Sequence, residues 1–420
     1  MGVYPPSTHR CRSRCSANCN MASHHGIRLA EAWSLPGCRF SSSRAMLSWV
    51  HFGDLHVSHD DSYESVGLLE RLVSAVNTNV AHAVEFAYLP GDNANNGKPE
   101  QYAKIRSILS SLRLPTNAIP GDHDFEPGSL ETFHRELGVD SLPKQVTVKG
   151  HRCLFLDIVS AGEGGPDFRL GAAQTEWIAA QLAACVDDKE RPVVFMHAYP
   201  GDLAEGGEAL AHLFASAGVL VVDTGHTHYN ELLNDGSVIY AATRSTGQIE
   251  EDDGRAGVAI VTVDASVVSW RFQPVSAAWP LVMITTPADR RLVTDPADQR
   301  QVPVGNCEVR AKVFGQQIAE VVVSIGEQRA TMQPVSGEHA VWQAELPRPP
   351  DVDRYQVTVV ASDANGNKAL DTIEVLSRQG AGSRAFAAAP PGTDAHAVGE
   401  WADHGLLGSQ LGPNKKGRAW

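Results

Sequence analysis

The segment Leu47-Ser-Trp-Val-His-Phe-Gly-Asp-Leu-His56 decides the fold class. Leu47–Phe52 is a short apolar run of strand composition, and it ends at a Gly-Asp step. The same event recurs downstream. Phe86–Leu89 leads into Gly91-Asp92, and Ala118-Ile119 leads into Gly121-Asp122-His123-Asp124. Between these strands, Val66, Leu69, Leu72, Val73 and Val76 recur at helical spacing within 62–82. Tyr102, Ile105, Ile108, Leu109 and Leu112 do so within 100–112. Leu154–Val159, Val193–Met196 and Leu220–Val222 read as further buried strands, with a helix over 172–185. Val238–Ala241, Val258–Val263 and Val267–Phe272 alternate and read as closing antiparallel strands. Such β–α alternation predicts an α/β layered domain over 46–279.

The pattern changes at Trp279-Pro280. Short alternating strands follow at Val282–Ile284, Glu308–Val313, Glu320–Ile325, Val341–Ala344, Tyr355–Ala361 and Thr372–Val375. This spacing predicts a small β-sandwich of immunoglobulin type over 280–376, from pattern alone, since the Cys…Trp…Cys signature is missing. Residues 377–420 begin as a Gly/Ala/Ser/Pro-rich linker and end in a segment bounded by Trp401 and Trp420, which is expected to dock on the body. Residues 1–45 are set outside the fold. They hold six arginines, no lysine and one acid, Glu31, and they read as a disordered leader or as sequence upstream of a true start at Met46.

The whole chain of 420 residues carries 35 basic and 49 acidic side chains, a net charge of −14. With the leader at +5, the remainder carries −19. That balance argues against a nucleic acid polymer as partner and against a polybasic membrane dock. No stretch reaches the ~20 apolar residues of a membrane span. Cys11, Cys15, Cys19 and Cys38 lie in the leader, and Cys153, Cys185 and Cys307 are scattered. No disulfide framework emerges, so a reducing, cytoplasmic setting is expected.

Seventeen histidines direct attention to metal-ligand spacing. In chain order the strand ends carry Asp54-x-His56, Asp92, Asp122-His123-Asp124, His197 and His226-x-His228. An isolated D-x-H is mostly chance, Asp92 alone could cap a turn, and His197 alone could be a core histidine. Five such blocks, each at a strand end, gather on the carboxyl edge of the sheet, where open α/β sheets place their sites. Three carboxylates and four imidazoles suit a pair of divalent ions such as Fe, Mn or Zn.

These blocks resemble the calcineurin-like metallophosphoesterase superfamily, with its order D-x-H, G-D, G-N-H-[D/E], H and G-H-x-H, over roughly 46–275. The resemblance implies a four-layer α/β/β/α sandwich and a dinuclear centre. It implies Asp54, His56 and His228 on one metal, Asp92 bridging, and Asp122, His197 and His226 on the other. It further implies His123 as the general acid and Asp124 as its orienting partner. Asp122 departs from the pattern, which has Asn there. The added negative charge should tighten cation binding and make the bridging hydroxide less acidic.

The resemblance implies attack of metal-bound hydroxide on a phosphoester. A small phosphodiester, of cyclic nucleotide or glycerophosphodiester type, is favoured. A phosphomonoesterase or phosphoprotein phosphatase is the alternative, and a non-catalytic metal-containing binding module is the alternative of another class. Asn93 and its neighbours Asn95 and Asn96, Tyr199 and Arg244 are candidate substrate contacts. Each has a structural reading of equal weight: a turn, packing, or a surface ion pair from Arg244 to Glu250 or Glu251. The β-sandwich suggests a binding or homo-oligomer role, or a spacer that shapes access to the site.

Overall fold

The structure, a computed structural model, describes residues 45–249 and 254–378 and the backbone of 398–400. The α/β part runs β1 (Leu47–His51), α1 (Glu64–Asn79), β2 (Phe86–Leu89), α2 (Pro99–Leu109), β3 (Thr116–Ala118), α3 (Glu131–Leu137), β4 (Lys144–Val148), β5 (His151–Phe155) and α4 (Gly171–Asp187). It continues β6 (Val193–Phe195), α5 (Gly207–Ser216), β7 (Val221–Thr224), β8 (Glu231–Asn234), β9 (Ile239–Ala242), β10 (Gly257–Asp264) and β11 (Val267–Pro274).

Period-2 alternation makes two layers out of these strands. Leu47, Trp49, Phe86, Tyr88, Cys153, Phe155, Val193 and Phe195 all face one aromatic-rich core between two sheets. Their neighbours Val50, Ala87, Leu89, Leu154, Val194 and Met196 face outward and pack in the core that also holds Leu69, Leu72, Tyr102, Ile178, Leu182 and Phe214 of the helices. Both faces of each central strand are therefore apolar, as parallel strands covered by helices require. The first sheet has the order β11-β10-β1-β2-β3, and the second contains β8-β9-β7-β6-β5-β4. This is the α/β/β/α sandwich. Strands β1, β2 and β3 run parallel, as do β5, β6, β7 and β9, so their carboxyl ends share one edge.

One expectation is corrected here. The strand at 238–241 is β9; it pairs antiparallel with β8 as expected, but it lies inside the second sheet and runs parallel to β7 on its other side. Its continuous burial marks two covered faces and says nothing about direction. By contrast β10 pairs antiparallel with both β1 and β11.

The all-β part comprises β12 (Leu281–Thr286), β13 (Cys307–Phe314), β14 (Ile318–Ile325), β15 (Gln328–Thr331), β16 (Gln333–Pro334), β17 (Val341–Leu346), β18 (Arg354–Asp363) and β19 (Lys368–Leu376). Two four-stranded antiparallel sheets, β12-β13-β17-β16 and β15-β14-β18-β19, enclose a core of Val309, Val313, Val323, Val357, Val359 and their neighbours. The backbone of a last strand, β20 (Val398–Glu400), pairs in parallel with β8. Residues 1–44 of the leader and residues 401–420 lie outside the described residues.

Candidate metal centre

Each strand end hands its side chain to the same edge through a turn that only certain residues can make. Gly91 has φ +113°, and a Cβ there would lie 2.3 Å from Nδ1 of His197. A Cβ on Gly225 would lie 2.2 Å from Oδ1 of Asp54. The glycines are thus the space into which the neighbouring side chains fit. Four of the gathered residues bear left-handed backbones themselves: His56 (φ 41°), Asp92 (47°), His226 (65°) and His228 (62°). Such strain persists only where the surroundings over-determine it, and it concentrates at functional sites.

The side chains form two groups. Asp54, His56, Asp92 and His228 offer one set of ligand atoms, and Asp92, Asp122, His197 and His226 offer the other, each set within 4.8 Å. Asp92 belongs to both. Its Oδ2 lies 3.5 Å from Nε2 of His56 and 3.5 Å from Nε2 of His197. Asp122 Oδ1 is 3.3 Å from Nε2 of His197 and 3.7 Å from Nδ1 of His226. Asp54 Oδ2 is 3.6 Å from Nε2 of His228.

The donor chemistry fits cations. His197 donates its Nδ1–H to the carbonyl of Pro90 at 2.8 Å, which turns Nε2 toward Asp92 and Asp122, 3.5 and 3.3 Å away. His56 Nδ1 lies 3.3 Å from the amide oxygen of Asn95, and its Nε2 lies 3.0 Å from Nε2 of His228. Two imidazole nitrogens that approach so closely inside a carboxylate cluster are arranged to share a positive charge. Oδ1 of Asp54 is buried with no hydrogen-bond partner among the described residues. Burial lowers the pKa of His56 to about 3 and that of His226 to about 4, so both are neutral at physiological pH. Burial also works on Asp92, but the imidazoles of His197, His56 and His123 outweigh it and hold that carboxyl well below its ordinary value.

His123 stands at the edge of this cluster, its ring 4.7 Å from that of His56 and edge-on to it. Its partner differs from the expected one. Asp124 is turned into the protein, where it accepts from the backbone N–H of Asn93, Ala94 and Gly121 and from the Tyr102 hydroxyl at 2.5 Å. It buttresses the loop of Asp92 and does not orient His123. Nδ1 of His123 is held by the carbonyl of Asn95 at 2.9 Å and by Oε1 of Glu126 at 2.9 Å. The reason is local: residues 123–125 form a 3₁₀ turn, which stacks i and i+3 on one face. Burial lowers the His123 pKa, but Asp92, the Asn95 carbonyl, Asp122 and Glu126 outweigh it and the net shift is upward.

The candidate substrate contacts are also corrected. Asn93 is fully buried and donates its amide to Ile119 O and to Asp124. Tyr199 is buried beside Tyr240, and its hydroxyl donates to Glu231 at 3.1 Å. The guanidinium of Arg244 sits over the Phe272 ring, 4.6 Å from its centroid, and donates to the carbonyl of Arg255. Glu250 and Glu251 lie outside the described residues. The stretch after Arg244 nevertheless serves the site: Ser245 Oγ and Thr246 N donate to the carbonyl of Asp54 at 2.9 and 2.8 Å. Phe168 was not anticipated. Its ring stands edge-on to those of His226 and His197, with centroids 4.8 and 5.7 Å away, and nothing in its loop sequence signals that role.

Two clusters that share one carboxylate, on the carboxyl edge of an α/β/β/α sandwich, offer places for a pair of divalent cations. Residues 48–230 match the family pattern of the calcineurin-like phosphoesterases, and that part of the chain reads as a metal-dependent phosphoester hydrolase domain. Over 200 residues it is 28% identical to the glycerophosphodiester phosphodiesterase GpdQ of Enterobacter lignolyticus, covering 43% of this chain and 70% of that protein. Over 247 residues it is 24% identical to a probable cyclic nucleotide phosphodiesterase of Synechococcus sp., covering 56% of this chain and 94% of that protein. Over 120 residues it is 27% identical to the 3',5'-cyclic adenosine monophosphate phosphodiesterase CpdA of Escherichia coli, covering 28% of this chain and 42% of that protein. Among the described residues, no helix is long and apolar enough to cross a membrane.

Proposed function

We propose that the domain at 46–279 hydrolyses a small phosphodiester, of the cyclic nucleotide or glycerophosphodiester type. The observation that carries this reading is the position of His123 beside two cation-ready groups, its Nδ1 tied to Asn95 and Glu126 and its ring against His56. The three relatives above are each named as phosphodiesterases, which favours the diester over a phosphomonoester or phosphoprotein.

In this reading Asp54, His56 and His228 hold one divalent cation, Asp122, His197 and His226 hold the second, and Asp92 serves both. When bound, the pair supplies nucleophilic water at neutral pH and neutralises phosphoryl oxygens. The chain's own part is then proton delivery. As the bond from phosphorus to the leaving oxygen breaks, His123 passes its Nε2 proton to that oxygen. Asn95 and Glu126 hold the opposite nitrogen and so keep the ring and its tautomer fixed. Asp124 acts behind this, by holding the loop that presents Asp92. A cytoplasmic location and an accessory role for the 280–376 sandwich belong to the same proposal.

The test compares the parent with His123→Ala, both loaded with Mn²⁺, on bis- and mono-p-nitrophenyl phosphate and on an alkyl phosphodiester. Preference for the diester is expected, with turnover of the alkyl ester lower by ~10²–10⁴ in the variant and metal content unchanged. Full alkyl-ester turnover in His123→Ala refutes the acid assignment. A metal-loaded parent that hydrolyses none of the three esters favours a binding module.

A further inference from the structure

Between the two sheets, beneath the metal centre, the aromatic core contains a polar knot. Asp223 on β7 is fully buried and reaches across to β1. Its Oδ1 accepts from Nδ1 of His51 at 2.8 Å, and its Oδ2 accepts from Nε1 of Trp49 at 2.6 Å. The Tyr88 hydroxyl on β2 donates to the backbone carbonyl of Asp223 at 3.3 Å. Around the knot are Phe86, Phe155 and Phe195, so the link lies in low dielectric, where a satisfied hydrogen bond is strong and an unsatisfied one costly.

The place of the knot matters more than its strength. His51 is the last residue of β1, three before Asp54, and Asp223 lies three before His226. Each cation-ready group is split between the sheets. Asp54, His56, Asp92 and Asp122 come from the first, and His197, His226 and His228 come from the second. The distances within each group therefore depend on how one sheet sits on the other. Apolar contact is non-directional, so by itself it fixes the register of one layer on another less specifically than a hydrogen bond does. Metal coordination tolerates about ±0.2 Å. A directional link at the base of both ligand-bearing turns fixes that register.

We propose that the buried His51–Asp223 pair, with Trp49, is a positioning link that sets the spacing of the two halves of the metal centre. It touches neither substrate nor cation. The inference rests on the reading of the two carboxylate–imidazole groups as a metal centre, and the experiment separates the two.

Mn²⁺ is titrated calorimetrically into the metal-free full chain, and thermal unfolding is recorded, for the parent, Asp223→Asn, and the triple variant Trp49→Phe/His51→Phe/Asp223→Leu. The triple variant removes both donors together with their acceptor and leaves none of the three unpaired, so it is expected to fold. Its Mn²⁺ affinity is expected to fall by about 10–100-fold, the range for partners that orient ligands from outside the coordination shell. Asp223→Asn, which keeps one acceptor, is expected to fall in between. A folded triple variant with parental Mn²⁺ affinity overturns the link. If the triple variant does not fold, parental affinity in Asp223→Asn overturns it instead. A parent that takes up no Mn²⁺ overturns the metal-centre reading, and the link with it.

Discussion

Asp122 carries a charge where the family pattern has a neutral amide. Its Oδ1 faces both His197 and His226, so the charge acts directly on those two imidazoles. Burial and Asp92 push the Asp122 carboxyl upward, yet hydrogen bonding and charge from His197, with His226, hold it below its ordinary value. An additional ionised ligand raises cation affinity. Asp122→Asn is therefore expected to weaken the second Mn²⁺ to bind by about tenfold or more, with little change in fold. Calorimetric titration measures it, and an unchanged second affinity would show that the charge is not felt by the ion.

At the level of elements, the site is a set of strand-to-loop turns that tolerate no added atoms. Gly91 combines φ +113° with a crowded neighbourhood: an alanine Cβ there would meet His197 Nδ1 at 2.3 Å and Gly121 N at 2.8 Å. Gly91→Ala must strain the backbone and displace His197 together. We expect a loss of roughly 1–3 kcal/mol from the backbone alone, read by urea unfolding, and weakened Mn²⁺ binding besides. Gly128, which has φ +76° and open space around it, is the control: Gly128→Ala should weaken the fold without touching the metal. The 3₁₀ turn at 123–125 makes a related point, because its i+3 geometry selects Glu126 over the adjacent Asp124 as partner of His123.

Across the whole molecule, the α/β and all-β parts meet through buried polar groups. Lys312 on β13 is 3% exposed and donates to Ser48 Oγ on β1 at 2.7 Å. Arg310 pairs with Asp264, and Arg271 with Asp371, across the same boundary. Burial pushes the Lys312 pKa from 10.5 down to about 8. The unfolded chain then binds the extra proton between about pH 8 and 10.5, so this residue makes stability rise with pH in that window. Its cost is fully present below about pH 8. The stability of Lys312→Met relative to the parent should therefore fall by about 3 kcal/mol between about pH 7 and about pH 10.5. Equal differences at the two pH values, measured by urea unfolding, would contradict the shift.

The layers, and the Asp and His residues that gather on the carboxyl edge, were legible in the chain itself. Nearly continuous apolar runs through Trp49, Phe86, Tyr88 and Phe195 specify strands apolar on both faces, and each Gly-Asp step marks where a strand must end. Those are short-range properties, written within a few residues. Helices α3 and α5 escaped that reading, and so did the parallel pairing of β9 with β7, because periodicity reports which faces are buried but not which strand lies alongside. The partnerships emerged only on folding. His56 meets His228 across 172 positions, and Asp223 meets His51 across 172 as well. Folding also turned Asn93, Tyr199 and Arg244 into the protein interior and paired His123 with Glu126. Such pairings depend on how one sheet stacks on another, a long-range packing outcome to which no local pattern is coupled.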